Sequence, residues 1–255
     1  MNKVLILIPS RLSAKRLPGK PLLKIGNLPI ISHVVKRGQE TGLGKVIVCA
    51  EDKEIINAVE KNGGKAILTG NHHKNGTERI YEGLKILGKR NIDYVISLQG
   101  DEPEIKPEDI KNLYFHMVKT NSDIGTLAAE ISEQSMLDNK NVVKVKTKEK
   151  LNYDNFALAI NFSRYDLSNK SSNVYHHIGI YCYKVSILEK FVNLDQTKNE
   201  INNQLEQLRA LDNKIEIKVA LAKSSPIGVD TKEDYLALKK LWNISLKYED
   251  SISGN

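Results

Sequence analysis

Cysteine is nearly absent from the 255 residues: only Cys49 and Cys182 occur, each inside an apolar run, with no C-x-x-C and no paired Cys/His spacing. That excludes a disulfide scaffold and a thiolate zinc site, and a reducing, cytoplasmic setting is expected. Long hydrophobic runs are missing as well. The first, VLILI at 4–8, is shorter than a signal-peptide core, and no stretch approaches the length that crosses a bilayer, so a soluble protein is expected. Internal repeats, low-complexity tracts and an obvious linker are also lacking; one domain over 1–248 is expected, with 249–255 as a frayed tail. Aromatic residues make up only 6% of the chain. The excess of 38 Lys and Arg over 31 Asp and Glu gives a formal charge of +7, spread along the whole sequence. A dispersed excess of this kind describes a solvated surface rather than a nucleic-acid stripe.

What is present is alternation. KVLILI, KVIVCA, KAIL and DYVISLQ are short β-branched runs, separated by amphipathic stretches at 29–40, 52–62 and 76–89. Strands spaced by helices of this length make βαβ units, hence a parallel sheet covered on both faces. The second half is less regular. Its strand candidates are IGTLAAEI, VVKVKT, FALAINF, HIGIYCY and KIEIKVALA, with helices at 200–211 and from 231 to about 248 and polar turns at 152–155 and 166–173.

Ligands of open α/β sheets bind beyond the carboxyl ends of the strands. Two segments fall on that edge. SRLSAKRLPGKPL follows the first strand and carries Arg11, Lys15, Arg16 and Lys20 on a backbone that Pro18, Gly19 and Pro21 keep out of a regular helix. Stiffness matters there, because immobilising each long side chain on binding costs about 0.5–1.5 kcal/mol. Arginine forks two phosphate oxygens, and lysine supplies a compact charge, so the loop suits a polyphosphate. LQGDEPEI follows the fourth strand and presents Asp101 and Glu102, and PIGVDTKED places Asp230 at another strand-to-helix turn. Each acid is also a plausible helix cap; alternatively, two carboxylates plus substrate phosphates are how magnesium is usually held. GLKILGKR is not a phosphate loop, since Arg90 stands where Ser or Thr is needed and the run is helical; GLG at 42–44 precedes a strand instead of following one.

Taken in order, R-x-x-x-x-R-L-P-G-K-P-L, GTER, QGDEP, NFSR, HIGIY, LEQLR and GVDT, from about Lys3 to Trp242, resemble the family of 3-deoxy-D-manno-octulosonate (Kdo) cytidylyltransferases, or CMP-Kdo synthetases. The resemblance implies a three-layer α/β/α nucleotidyltransferase-like fold with a mainly parallel central sheet and a small extension used for dimerisation. It implies a reaction of CTP with Kdo giving CMP-Kdo and pyrophosphate, for lipopolysaccharide synthesis, with Mg2+ as cofactor, a homodimer, and no nucleic-acid or membrane partner. Carried over by position, Arg11, Arg16 and Lys20 grip the triphosphate, with Asp101 as a further catalytic group. Asp101 and Asp230 bind the metal, and Gly76, Thr77 and Arg79 contact the cytosine. Arg164, His177, Tyr181, Glu206 and Gln207 hold the sugar acid with Gln99 nearby.

On residue chemistry alone His177 and Tyr181 read as core packing, whereas an arginine on an apolar strand must find an anion or reach solvent. Family positions that often carry small hydroxyls hold Ala14 and Lys15 here. Asn75 stands for a frequent serine, and Asn203 for a frequent glutamate. Competing expectations are a cytidylyltransferase for a related acid (8-amino-Kdo or a nonulosonic acid), a nucleotide-sugar glycosyltransferase, and a non-enzymatic nucleic-acid-binding protein. The last would require aromatics interleaved with the cations, and the opening loop has none.

Overall fold

A computed structural model of the chain describes residues 3–14, 16–89, 91–167, 173–226 and 228–253. Lys15, Arg90, the centre of the expected turn at 166–173 and the last two residues of the expected tail therefore lie outside the described residues.

The first half builds as its periodicity dictates. Strands β1 (Val4–Ser10), then β4 (Lys45–Ala50), β5 (Ala66–Leu68) and β6 (Tyr94–Ser97) alternate with helices α1 (Ile30–Glu40), α2 (Lys53–Lys61) and α3 (Gly76–Leu87). A small ribbon, β2 (Lys24–Ile25) with β3 (Leu28–Pro29), follows the opening loop and was not foreseen. Order β5-β4-β1-β6 is parallel throughout. The run VLILI splits its residues between two cores by simple strand alternation: Val4, Ile6 and Ile8 face α1 and α2, and Leu5 and Leu7 face α3.

The remaining elements are α4 (Pro107–Thr120), β7 (Ile124–Ala129), α5 (Gln134–Asp138), β8 (Lys144–Thr147), β9 (Ala157–Ser163), β10 (Val174–Lys184), α6 (Val185–Val192), α7 (Lys198–Asn203), α8 (Leu208–Asp212), β11 (Ile217–Leu221) and α9 (Lys232–Ser253). They extend the sheet to nine strands in the order β5-β4-β1-β6-β10-β7-β11-β9-β8. Here β10 runs antiparallel to both β6 and β7, so the parallel block ends at β6, and only β7 with β11 resumes it. Because β10 also pairs with β8, the path β10-β7-β11-β9-β8 returns on itself. The single helix expected at 200–211 is two, α7 and α8. Gln204 adopts φ +52° and breaks them, which turns 204–207 into a loop. At the other end α9 continues past 248 to Ser253.

A third apolar cluster, Ile25, Ile30, Val229 and Leu238, with Leu17 and Trp242 against it, ties α9 to the opening loop and ribbon. Burying such side chains is worth about 1.5–3 kcal/mol each, so the segment carrying Arg16 and Lys20 is packed against the segment carrying Asp230. Among the described residues no helix is long and apolar enough to cross a membrane. Both cysteines are buried free thiols, and burial pushes Cys49 up to about 12.

Helix α3 lies close on β4 because Gly83 has no side chain: an added Cβ would sit 2.4 Å from Cys49 Sγ. Gly83→Ala should therefore destabilise by about 1–3 kcal/mol, despite alanine's better helix propensity; urea unfolding measures it, and an unchanged midpoint would contradict the close packing.

Candidate active site

The opening loop, GTER, QGDEP and GVDT converge at the carboxyl edge of β1 and β6. A cleft of about 390 Å³ is lined there by Arg11, Arg16, Lys20, Gly76, Asp101 and Asp230, with Arg79 and Gln99 at its walls. The opening loop is closed on itself, Gly19 donating to the Leu12 carbonyl at 3.0 Å, and Leu12 N–H is anchored on Asp52 at 2.8 Å. Gly19 has φ +72°, the left-handed conformation that glycine adopts without strain. The ammonium of Lys20 stands between two carboxylates, 2.6 Å from Asp101 Oδ2 and 3.2 Å from Asp230 Oδ1, while Arg16 reaches Asp230 at 2.9 Å. Burial alone would lower the pKa of Lys20; Asp101 and then Asp230 outweigh it and raise it, so the charge is secure at neutral pH. Arg11 has no ion-pair partner among the described residues.

Two of the residues expected at the cytosine are otherwise engaged. Arg79 is buried, with its guanidinium on Glu51, on Thr69 at 2.8 Å and on the Gly70 carbonyl at 2.9 Å. Thr77 donates to Glu206 at 3.0 Å, away from this cleft. Gly76 does border it, approaching β1 so closely that a Cβ would lie 3.0 Å from Pro9. Asn75, in place of the serine, caps α3 by accepting the Glu78 N–H at 2.8 Å.

A second cleft, about 350 Å³, adjoins the first at Gln99, which lines both. Arg164, His177, Tyr181, Glu206 and Gln207 all line it, so the five residues assigned to a sugar acid are gathered in one place. Among the described residues, Arg164 donates to three backbone carbonyls, those of Asn203 (3.4 Å), Lys140 (3.3 Å) and Gln204 (3.3 Å). These dipoles orient the guanidinium, and no salt bridge to it is formed among the described residues. Glycine at 179 lies in a register shift of β10 between Ile178 and Tyr181, where its carbonyl accepts from Gln99 at 2.8 Å. His177 Nε2 lies 2.9 Å from Thr126 Oγ1, whose one proton goes to the Ile180 carbonyl at 2.7 Å. Nε2 must then donate, leaving Nδ1 as an acceptor. Burial lowers His177 to about 3, so the ring is neutral.

Lys144 and Arg209 escaped the sequence reading, and Glu102, singled out there beside Asp101, proves to carry a buried carboxylate oxygen. Lys144 is fully buried on β8 and donates to the carbonyls of Asn139 (2.7 Å) and Arg164 (3.1 Å), fixing the backbone from which Arg164 extends. Its one signal was a lysine between two valines. Glu102 has a buried, unpartnered Oε2, and burial followed by Asp101 pushes its carboxyl up to about 8. Arg209 forms a buried two-pronged pair with Glu200, at 2.8 and 2.6 Å, bracing the loop 204–207 from below.

Residues 5–217 match the model of a family described as cytidylyltransferase. The chain is 42% identical over 241 residues to the 3-deoxy-manno-octulosonate cytidylyltransferase of Afipia carboxidovorans, covering 94% of this chain and 97% of that one. It is 43% identical over 231 residues to the enzyme of the same name from Rhodopseudomonas palustris, covering 90% and 94%. Among solved structures, a CMP:2-keto-3-deoxy-manno-octonic acid synthetase complexed with CTP superposes with a TM-score of 0.83 at 33% identity, covering 97% of this chain and 100% of that one. A UDP-glucose pyrophosphorylase complexed with UDP-glucose, at 16% identity and a TM-score of 0.72 over 96% of this chain and 100% of that one, shares the fold.

Removing one partner of a buried ion pair strands the other charge. Arg209→Leu should cost about 3–5 kcal/mol of stability, read by chemical denaturation; a loss below about 1 kcal/mol, typical of exposed pairs, would show that the pair is not buried in solution.

Proposed function

We infer the reaction from a premise the relatives supply: the chain belongs to the 3-deoxy-manno-octulosonate cytidylyltransferase family. It transfers CMP from CTP to Kdo and releases pyrophosphate, a step of lipopolysaccharide synthesis. The observation that carries the reading is the pair of clefts meeting at Gln99, one walled by cations and carboxylates, the other lined by an arginine that donates to backbone carbonyls.

The triphosphate lies against Arg11, Arg16 and Lys20 in the first cleft, with the base toward Gly76. Arg79 shapes that wall through Glu51 and Thr69 rather than by reaching out. In the second cleft Arg164 takes the carboxylate of the sugar acid in a guanidinium fork. His177 Nδ1, Glu206 and Gln207 accept from or donate to its hydroxyls, and Tyr181 packs beside them. The anomeric hydroxyl then attacks the α-phosphorus in line, and most of the acceleration comes from position and fixed charge. Lys20, whose charge Asp101 and Asp230 hold against burial, faces the charge that leaves with pyrophosphate.

The donor set fits Mg2+, since two hard carboxylates from separate segments already converge on one cation, the Lys20 ammonium. Asp101 and Asp230 would hold the ion, and when bound it supplies positive charge at the phosphates. We also propose a homodimer formed through the second half of the chain, where Ile160, Tyr165 and Ile201 are exposed. A cytoplasmic location is in keeping with the two buried free thiols.

Purified protein given CTP, Mg2+ and a panel of 2-keto acid sugars should release pyrophosphate with Kdo; release only with an amino analogue or a nonulosonic acid would replace the substrate, and none with any acid would remove the reading. Asp101→Asn keeps shape and removes charge, so kcat should fall on the order of 10²–10³-fold with the fold retained at a lowered melting temperature, since the Lys20 pair is lost; near-normal turnover would refute its role. Arg164→Ala should raise the KM for Kdo on the order of 10–100-fold and leave that for CTP alone, whereas equal weakening of both would move the arginine away from the acceptor.

A further inference from the structure

Thr77 begins α3 beside Gly76, yet its hydroxyl turns from the nucleotide cleft and donates to Glu206 Oε2 at 3.0 Å across 129 positions of sequence. Both groups are sheltered: Thr77 is 6% exposed, and Glu206 Oε1 is buried with no hydrogen-bond partner. Glu206 lines the second cleft on the loop between α7 and α8, and that loop is braced by the Glu200–Arg209 pair. With Oε2 held by Thr77, the unpartnered Oε1 is the carboxylate oxygen left open to accept. An orphaned buried oxygen costs free energy unless something fills it, and the sugar hydroxyls of the proposed acceptor are of the right chemistry.

We propose that Thr77 is a positioning residue for the acceptor: its hydroxyl holds Glu206 Oε2 so that Oε1 alone meets a hydroxyl of the sugar acid. The inference rests on the acceptor reading given above. It also links the two clefts mechanically, since the first turn of α3, capped by Asn75, borders one and aims a side chain of the other.

The groups around Glu206 define its titration. Burial raises the carboxyl to about 7; the Thr77 hydroxyl and then Arg209 on α8 lower it, and Glu200 on α7 and Glu78 on α3 raise it. Tyr181 and Tyr183 on β10 face it as well and stay neutral, burial holding both phenols well above their ordinary value. An ionised Glu206 accepts from a sugar hydroxyl, so kcat/KM for the sugar acid should fall as pH drops through about 7. Removing the Thr77 donor raises the carboxyl further, and the acid limb moves to higher pH.

Thr77→Val and Thr77→Ser are the test. Valine should raise the KM for the sugar acid roughly tenfold, leave the KM for CTP unchanged, and shift the acid limb upward by roughly one pH unit; serine should restore all three. The same shift should be seen without turnover, by carbon NMR titration of labelled glutamate with the Glu206 signal assigned by its loss in Glu206→Gln. That measurement separates the two failures, because it stands even if no sugar acid is turned over. Should the valine variant not fold, Thr77→Ala is read by the same criteria. Joint loss for both substrates, a Glu206 titration that does not move, or a serine variant that fails to restore it would each overturn the proposal.

Discussion

The ammonium of Lys20, set between Asp101 and Asp230, is the interaction on which the arrangement turns, because it draws together segments 81 and 210 positions apart. Each segment arrives there for its own reason. The loop after β1 is stiffened by Pro18 and Pro21, Asp101 leaves β6 at the same edge, and Asp230 is delivered by α9 docking on the ribbon. Lys20 is only 12% exposed, so its pairs are strong compared with that of Arg16, whose side chain is 55% exposed and whose bond to Asp230 is worth about 0–1 kcal/mol. The lysine thus fixes the mouth of the cleft, and the arginines supply charge that a nucleotide can recruit at little cost.

The sequence was legible wherever the controlling contacts were local. Alternation within VLILI and KVIVCA gave the parallel block and both its faces. Proline, glycine and cations within thirteen residues gave the opening loop, and the five sugar-acid residues inferred by resemblance do share one cleft. What escaped depends on partners far along the chain. The antiparallel course of β10 is decided by which gap in the sheet it fills, between β6 and β7, and nothing in HIGIYCY encodes that. The break at Gln204 needs a left-handed residue that is not glycine, a conformation helix periodicity does not reveal. Lys144 looked like one more surface lysine until Asn139 and Arg164 carbonyls closed over it. Arg79 and Thr77 were placed by their neighbours in GTER, although helical geometry sends adjacent side chains in different directions.

The two clefts store charge in opposite ways, and this bears on what each substrate must displace. In the first, cations and carboxylates already satisfy one another, so a triphosphate competes with Asp101 and Asp230 for Lys20 and must bring compensation for the carboxylates it releases. A divalent cation between those carboxylates would provide it, which gives the nucleotide and the metal a reason to arrive together. In the second, Arg164 spends its donors on carbonyl dipoles carrying no net charge. On the proposed reading an incoming carboxylate would gain a charge interaction without displacing an anion among the described residues, at an effective dielectric where a pair 4 Å apart is worth about 4 kcal/mol before desolvation is subtracted. On that reading the second cleft would be ready for the acceptor's anion in the state described, whereas the first would have to exchange one set of ion pairs for another to take the nucleotide.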